Sequence, residues 1–171
     1  FRAIAHNGEI NTLKGNYNWM KVHEQEMDSP LFEDMENLKP VIPAGSSDSA
    51  ALDSVFELLN ISGQPAPLAK LMLIPDAWSK KSKTLSKEHQ QLFNFLNSTM
   101  EPWDGPAAIA GTDNEWVIAA TDRNGLRPMR YTITKDKILC AGSETGMVEL
   151  DEKKIITKGR LGPGEIIGIR I

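Results

Sequence analysis

Apolar residues recur at helical spacing through the first hundred positions, and after Pro102 they gather into short β-prone runs. From Thr12 as N-cap, Leu13, Tyr17, Met20 and Met27 fall near one helical face while Lys14, Lys21 and Glu26 point elsewhere. Gly15, and Glu24 on the apolar side, weaken that pattern. A second helix starts at Ser47 or Asp48, carries the stripe Leu52, Val55, Phe56, Leu59 and stops at Gly63. Between them, residues 28–47 hold Pro30, Pro40, Pro43 and Gly45 and read as a surface connection. Pro65 or Pro67 opens a short helix that Pro75 ends, and residues 86–100 give a further helix with Leu92, Phe93, Leu96 and Met100 inward. Lys80, Lys81 and Lys83 between those two read as a solvated loop.

The runs PAAIAGT, EWVIAAT, MRYTIT, KILCAGS, KIITKG and EIIGIRI read as strands, separated by turns short enough for antiparallel hairpins. A further strand, Phe1 to His6, runs into Asn7-Gly8 as a tight turn. Helices followed by a strand meander make the fold class α+β, because consecutive hairpin strands do not build a parallel sheet.

A chain of 171 residues, 40% hydrophobic and 25% charged, fits one domain spanning 1–171 with a core that needs no metal or disulfide. One cysteine forms no internal disulfide, excludes Cys-rich zinc patterns and suits a reducing compartment, the cytoplasm or a comparable space such as a plastid. A formal net charge of −4 argues against nucleic acid as a partner. No apolar run approaches the roughly 20 residues that cross a bilayer, and FRAIAHNGEI lacks the pattern of a signal peptide.

Candidate chemistry is sparse. There is no HExxH, CxxC, Walker loop or GxGxxG after a strand, so metal and nucleotide sites lack a signal. His6, His23 and His89 are widely separated, and RLGPGEI reads as a turn. Cys140, inside ILCAG, reads as a buried inert thiol. Asn7-Gly8 is either a type I′ turn or an oxyanion hole, since an Asn amide beside an unshielded Gly N–H supplies two donors for a developing O⁻. Asp48 is either a helix cap or a carboxylate placed to accept from a ligand ammonium group. DRNGLRP is a hairpin turn, or Arg123 and Arg127 hold an anion or a neighbouring domain.

Seven strings in order, FRAIAHNGEINTLKGNYNWM, SSDSAALDSVFELL, LMLIPDAW, MEPWDGPAAI, TDRNGLRPMRY, SETG and KGRLGPGEI, resemble blocks of the class II glutamine amidotransferase domain of glutamate synthases. AHNGEINT and DRNGLRP are the most specific. The resemblance implies an N-terminal-nucleophile hydrolase, a four-layer αββα sandwich of antiparallel sheets between helices, of which the helix-then-strand order is one part. It implies glutamine hydrolysis by an N-terminal Cys whose own α-amino group acts as base. The ammonia passes through a tunnel to a synthase site and meets 2-oxoglutarate. FMN and an iron–sulfur cluster lie on other domains, with no cofactor in this chain. Carried over to matching positions, Asn7 and Gly8 resemble the oxyanion hole and Asp48 the ligand of the glutamine α-amino group.

Residue 1 is Phe, and in the family both the catalytic Cys and an arginine clamp for the α-carboxylate lie upstream of the matching segment. The resemblance thus implies the C-terminal portion of the domain, inactive alone, with glutamine, the N-terminal half and the synthase domains as partners. Such a portion is expected to expose unpaired edges and to self-associate. The rival reading is a non-catalytic glutamine-binding or scaffold module.

Overall fold

The computed structural model describes residues 2–76 and 85–171; the lysines at 80, 81 and 83, expected in a loop, lie outside the described residues. In chain order the elements are β1 (Ile4–Gly8), α1 (Leu13–Glu26), α2 (Asp48–Ile61), α3 (Ala66–Leu73), α4 (Lys87–Thr99), β2 (Ala107–Thr112), β3 (Trp116–Thr121), β4 (Arg130–Thr134), β5 (Leu139–Gly142), β6 (Ile155–Arg160) and β7 (Ile166–Arg170). The class is α+β, every strand pairing being antiparallel.

The helices form where the apolar spacing predicts them. α2 is capped by Ser47, whose Oγ accepts from the Ala50 N–H at 3.2 Å, while Asp48 is the first residue inside the helix. Its buried stripe is Ala51, Leu52, Val55, Phe56 and Leu59. Burying side chains of that size stabilises by about 1.5–3 kcal/mol each. In α1, Thr12 precedes the helix without capping it: its hydroxyl donates to Asn16 Oδ1 at 2.6 Å and accepts from the Asp104 N–H. Glu24 is accommodated on the inner side because its Oε1 accepts the Val41 N–H at 2.7 Å. The 28–47 connection is therefore no purely surface segment: Val41 and Ile42 are buried in the core, and residues Met35–Leu38 form a short 3-10 turn. α4 buries Phe93 and Leu96, and Met100 at its end, as its spacing predicts, but Leu92, expected inward, is exposed.

The strands depart from a meander. They form two sheets, one ordered β1-β2-β3-β7 and one ordered β5-β4-β6. β2–β3 and β4–β5 are hairpin pairs, β1 pairs with β2 across the four intervening helices, β6 pairs with β4, and β7 returns across the chain to β3. DRNGLRP, expected as a hairpin turn, instead carries the chain from the first sheet to the second. Asn7 and Gly8 likewise lie within β1, opposite Ala108 and Ala107, and make no hairpin turn. The ladder is prolonged beyond Gly8 by Glu9 N–H to the Pro106 carbonyl at 3.0 Å and Asn11 N–H to the Asp104 carbonyl at 2.7 Å. That extension competes with, and beats, the local turn preference of an Asn-Gly pair.

Alternation along the first sheet gives its two faces different neighbours. Ile4, Ala107, Ile109 and Ile118 join the helical core, with Ile166 packed against it. Ala108 and Ala119, with Ile167 beside them, meet Met129, Leu161 and Tyr131 from the side of the second sheet. The order is helices, sheet, sheet. Among the described residues, no helix is long and apolar enough to cross a membrane.

Candidate active site

β1 is an edge strand of the first sheet, and α2 is stitched to it by side chains from its first two turns. Asp53, 5% exposed, accepts backbone N–H groups of Arg2, Ala3 and Ile4 at 2.7, 2.9 and 2.8 Å. Ser49 Oγ lies 2.7 Å from His6 Nδ1. Asp48 Oδ2 accepts from the Ile10 N–H at 2.9 Å. Three helix residues thus grip the strand along its whole length and fix where the turn after it begins.

The antiparallel ladder sets which way each N–H of β1 points. Ala3 accepts from Thr112 and Glu9 donates to Pro106, so odd-numbered residues face β2. The N–H of Gly8, an even position, is directed to the open edge. Asn7 is exposed, and its side chain lies on the sheet face opposite the helices, the face to which its cross-strand neighbour Ala108 belongs. Gly8 admits no side chain: a Cβ there would collide with the Pro106 carbonyl oxygen.

Asp48 is held below the usual carboxylate range. Burial pushes its pKa up, but hydrogen bonds from the Ile10 and Ser49 backbone and the nearby His6 more than offset that. His6 is shifted down, chiefly because burial disfavours its charged form, while the Asp48 carboxylate and the Pro106 carbonyl oppose the shift. Its Nε2 is buried on the side of the Pro106 carbonyl. Next to the start of α2 a cavity of about 310 Å³ opens between Leu13, Lys14, Tyr17 and residues 42–46; Asn7, Gly8 and Asp48 are not among its lining.

The structure brings Asn7, Gly8 and Asp48 to one end of the β1–α2 pair and leaves the other candidates elsewhere. Cys140 sits in β5 of the second sheet, opposite Thr132, and is half-buried where full burial was expected. Arg123 is engaged by Asp104 at 2.6 Å. Arg127 is exposed and its charge reaches His6. His23 pairs with Glu101 at 2.9 Å, and His89 is exposed at the start of α4. The Gly162–Glu165 segment is a turn between β6 and β7, as expected.

Two carboxylates that organise this region escaped sequence reasoning. Besides Asp53, there is Asp122, 1% exposed, which opens the DRNGLRP segment and accepts N–H groups of Ala107, Asn124, Leu126 and Arg127 at 3.0, 2.9, 3.0 and 3.2 Å. A signal existed for Asp53, an acidic residue between Leu52 and Val55 on the apolar stripe of α2. An iron–sulfur cluster takes several thiolates, so the chain's single cysteine does not fit one. Among the described residues no cluster of His, Cys, Asp and Glu is placed to hold a metal ion.

The family described as glutamine amidotransferases class-II matches residues 1–171. The glutamate synthase [NADPH] large chain of Azospirillum brasilense is 58% identical over 170 residues, 99% of this chain and 11% of that protein. The corresponding large chain of Bacillus subtilis is 43% identical over 167 residues, 97% of this chain and 11% of that one. The ferredoxin-dependent glutamate synthase of Cyanidium caldarium is 46% identical over 169 residues, again 97% and 11%. The chain spans about a tenth of the length of these curated relatives. With its whole length matched, the chain belongs to the class II glutamine amidotransferases.

Proposed function

We propose that residues 1–171 form the C-terminal portion of a glutamine amidotransferase domain within a glutamate synthase. They stabilise and orient glutamine while its side-chain amide is cleaved to glutamate and ammonia. In this reading Asn7 Nδ2 and the Gly8 N–H form the oxyanion hole, and Asp48 accepts from the α-ammonium group of glutamine. In this reading the nucleophile that adds to the carboxamide carbon is an N-terminal Cys outside residues 1–171, and Cys140, in β5 of the second sheet, has no part in the chemistry. The ammonia released is then used with 2-oxoglutarate by synthase domains that carry FMN and an iron–sulfur cluster.

The observation that supports this reading best is the edge position of Gly8. An N–H that the ladder leaves unused, next to an exposed Asn amide, is a pair of donors with no protein acceptor among the described residues. Such donors act on the charge that develops in the transition state and cost no reorganisation when it forms. Asp48, ionised and anchored by the Ile10 N–H, adds a fixed negative charge at the start of the adjacent helix.

The test is a comparison of two variants of the complete protein. Asn7→Ala should lower kcat for glutamine hydrolysis by roughly 10²-fold or more, the scale of one lost oxyanion donor. Asp48→Asn should mainly raise KM for glutamine. Unchanged kcat in the first removes Asn7 from the site, and unchanged KM in the second removes Asp48.

A further inference from the structure

Of the three links between β1 and α2, the one through His6 has no part in the roles assigned so far. His6 immediately precedes Asn7, and its ring points to the opposite face, toward the start of α2. There Nδ1 lies 2.7 Å from Ser49 Oγ, and the same hydroxyl donates to Asp48 Oδ1 at 3.4 Å. The other carboxylate oxygen, Oδ2, is pinned by the Ile10 N–H at 2.9 Å. Asp48 is thus held from the strand side by Ile10 and from its own helix by Ser49, through both the hydroxyl and the backbone N–H. A carboxylate has about four lone-pair sites, so these contacts fix its plane and still leave room for a ligand.

Ser49 is the second residue of α2, and its hydroxyl is placed between the His6 ring and the Asp48 carboxylate. Burial disfavours the charged form of the imidazole, and its Nδ1 gives Ser49 a directional hydrogen-bond partner on the strand.

We propose that His6 is a positioning residue for the ammonium-binding carboxylate: through Ser49 it sets the orientation of Asp48, and so ties that carboxylate to the strand carrying Asn7 and Gly8. This rests on the reading of Asp48 given above. It differs from a catalytic assignment, because His6 touches neither the substrate nor the reacting atoms.

The experiment measures glutamine hydrolysis by the complete protein carrying Ser49→Ala, Ser49→Thr, His6→Gln, His6→Asn or Asp48→Asn. Ser49→Ala and His6→Gln should each raise KM for glutamine roughly tenfold, the scale of one hydrogen bond to a charged group, with kcat held within about twofold. Combining them should cost little more than either alone, since both cut the same relay. Ser49→Thr keeps the hydroxyl, and His6→Asn puts an amide at the δ position that reaches Ser49 in either orientation. Both should restore KM most of the way, a rescue that a space-filling role would not produce. If Asp48→Asn raises KM while Ser49→Ala leaves it unchanged, the positioning role is overturned and the role of Asp48 stands. If Asp48→Asn itself leaves KM unchanged, the site reading falls and the relay with it. Should His6→Gln fail to fold, the Ser49 pair decides alone.

Discussion

A methyl group at residue 8 would occupy the space of the Pro106 carbonyl oxygen, which is already bonded to the Glu9 N–H. Gly8→Ala must therefore push β1 away from the segment before β2, moving the neighbouring N–H groups with it. The expected result is loss of stability by about 1–3 kcal/mol, the usual cost of overpacking, together with a fall in glutamine turnover. Asp122 presents the opposite case, a side chain whose charge is required. Burial alone would raise its pKa, yet the N–H groups of Ala107, Leu126, Arg127 and Asn124 hold it below the ordinary carboxylate value. A carboxyl with a depressed folded pKa stabilises above its unfolded value, near 3.8, and that stability is lost as pH falls through the lower folded value. Asp122→Asn turns one acceptor into a donor facing other donors. It should lower the denaturant midpoint by the equivalent of about 1.5–3 kcal/mol, and flatten the acid limb of the stability curve.

At the scale of elements, the β1–α2 pair is what assembles the site, and Asp53 is its main fastener. Removing that carboxylate frees three backbone donors in Arg2, Ala3 and Ile4. Asp53→Ala should therefore abolish hydrogen-exchange protection across β1 while leaving that of α4, on the far side of α3, near its wild-type level. Equal loss in both would show that the two elements unfold together. The helices were legible because an apolar stripe such as Leu52, Val55, Phe56 and Leu59 specifies a face and caps specify its ends. The strands were legible as segments, but not in their pairing. Runs such as WVIAA and EIIGIRI announce β structure and carry nothing that names a partner, so the return of β7 to β3 left no local mark. The same locality misplaced Asn7-Gly8 in a turn: the ladder that overrides the dipeptide comes from Pro106, about a hundred residues away. Asp122 left no mark of its reach to the Ala107 N–H in one dimension, whereas Asp53, an acid on the apolar stripe of α2, did carry a signal. The site residues themselves were reached through the resemblance of whole strings, since spacing alone favours a turn at Asn7-Gly8 and a cap at Asp48.

Across the whole molecule, the helices and the two sheets meet through opposite faces of the first sheet, and one buried lysine joins the layers. Lys70 of α3, 1% exposed, donates to the Gly164 carbonyl at 3.0 Å, in the turn between β6 and β7. Burial pushes its pKa down to about 8, with Asp76 and Asp122 opposing. Between that value and the ordinary 10.5 the unfolded chain binds more protons than the folded one, so stability attributable to Lys70 rises with pH through this window. Below pH 8 the full cost of burying the cation is borne. Urea titrations from pH 7 to 10.5 should show the wild type gaining stability relative to Lys70→Met; a constant difference would contradict the burial of a titrating amine.

The site reading requires two donors from adjacent residues, the Asn7 amide and the Gly8 N–H, to converge on one oxygen of the substrate. The most direct measurement is a crystal structure of the complete protein with a γ-glutamyl group trapped from glutamine. The account predicts the carbonyl oxygen of that group about 2.7–3.1 Å from both Asn7 Nδ2 and the Gly8 nitrogen, with its α-ammonium on Asp48. A carbonyl oxygen held by other donors, with Asn7 turned away to solvent, would contradict it.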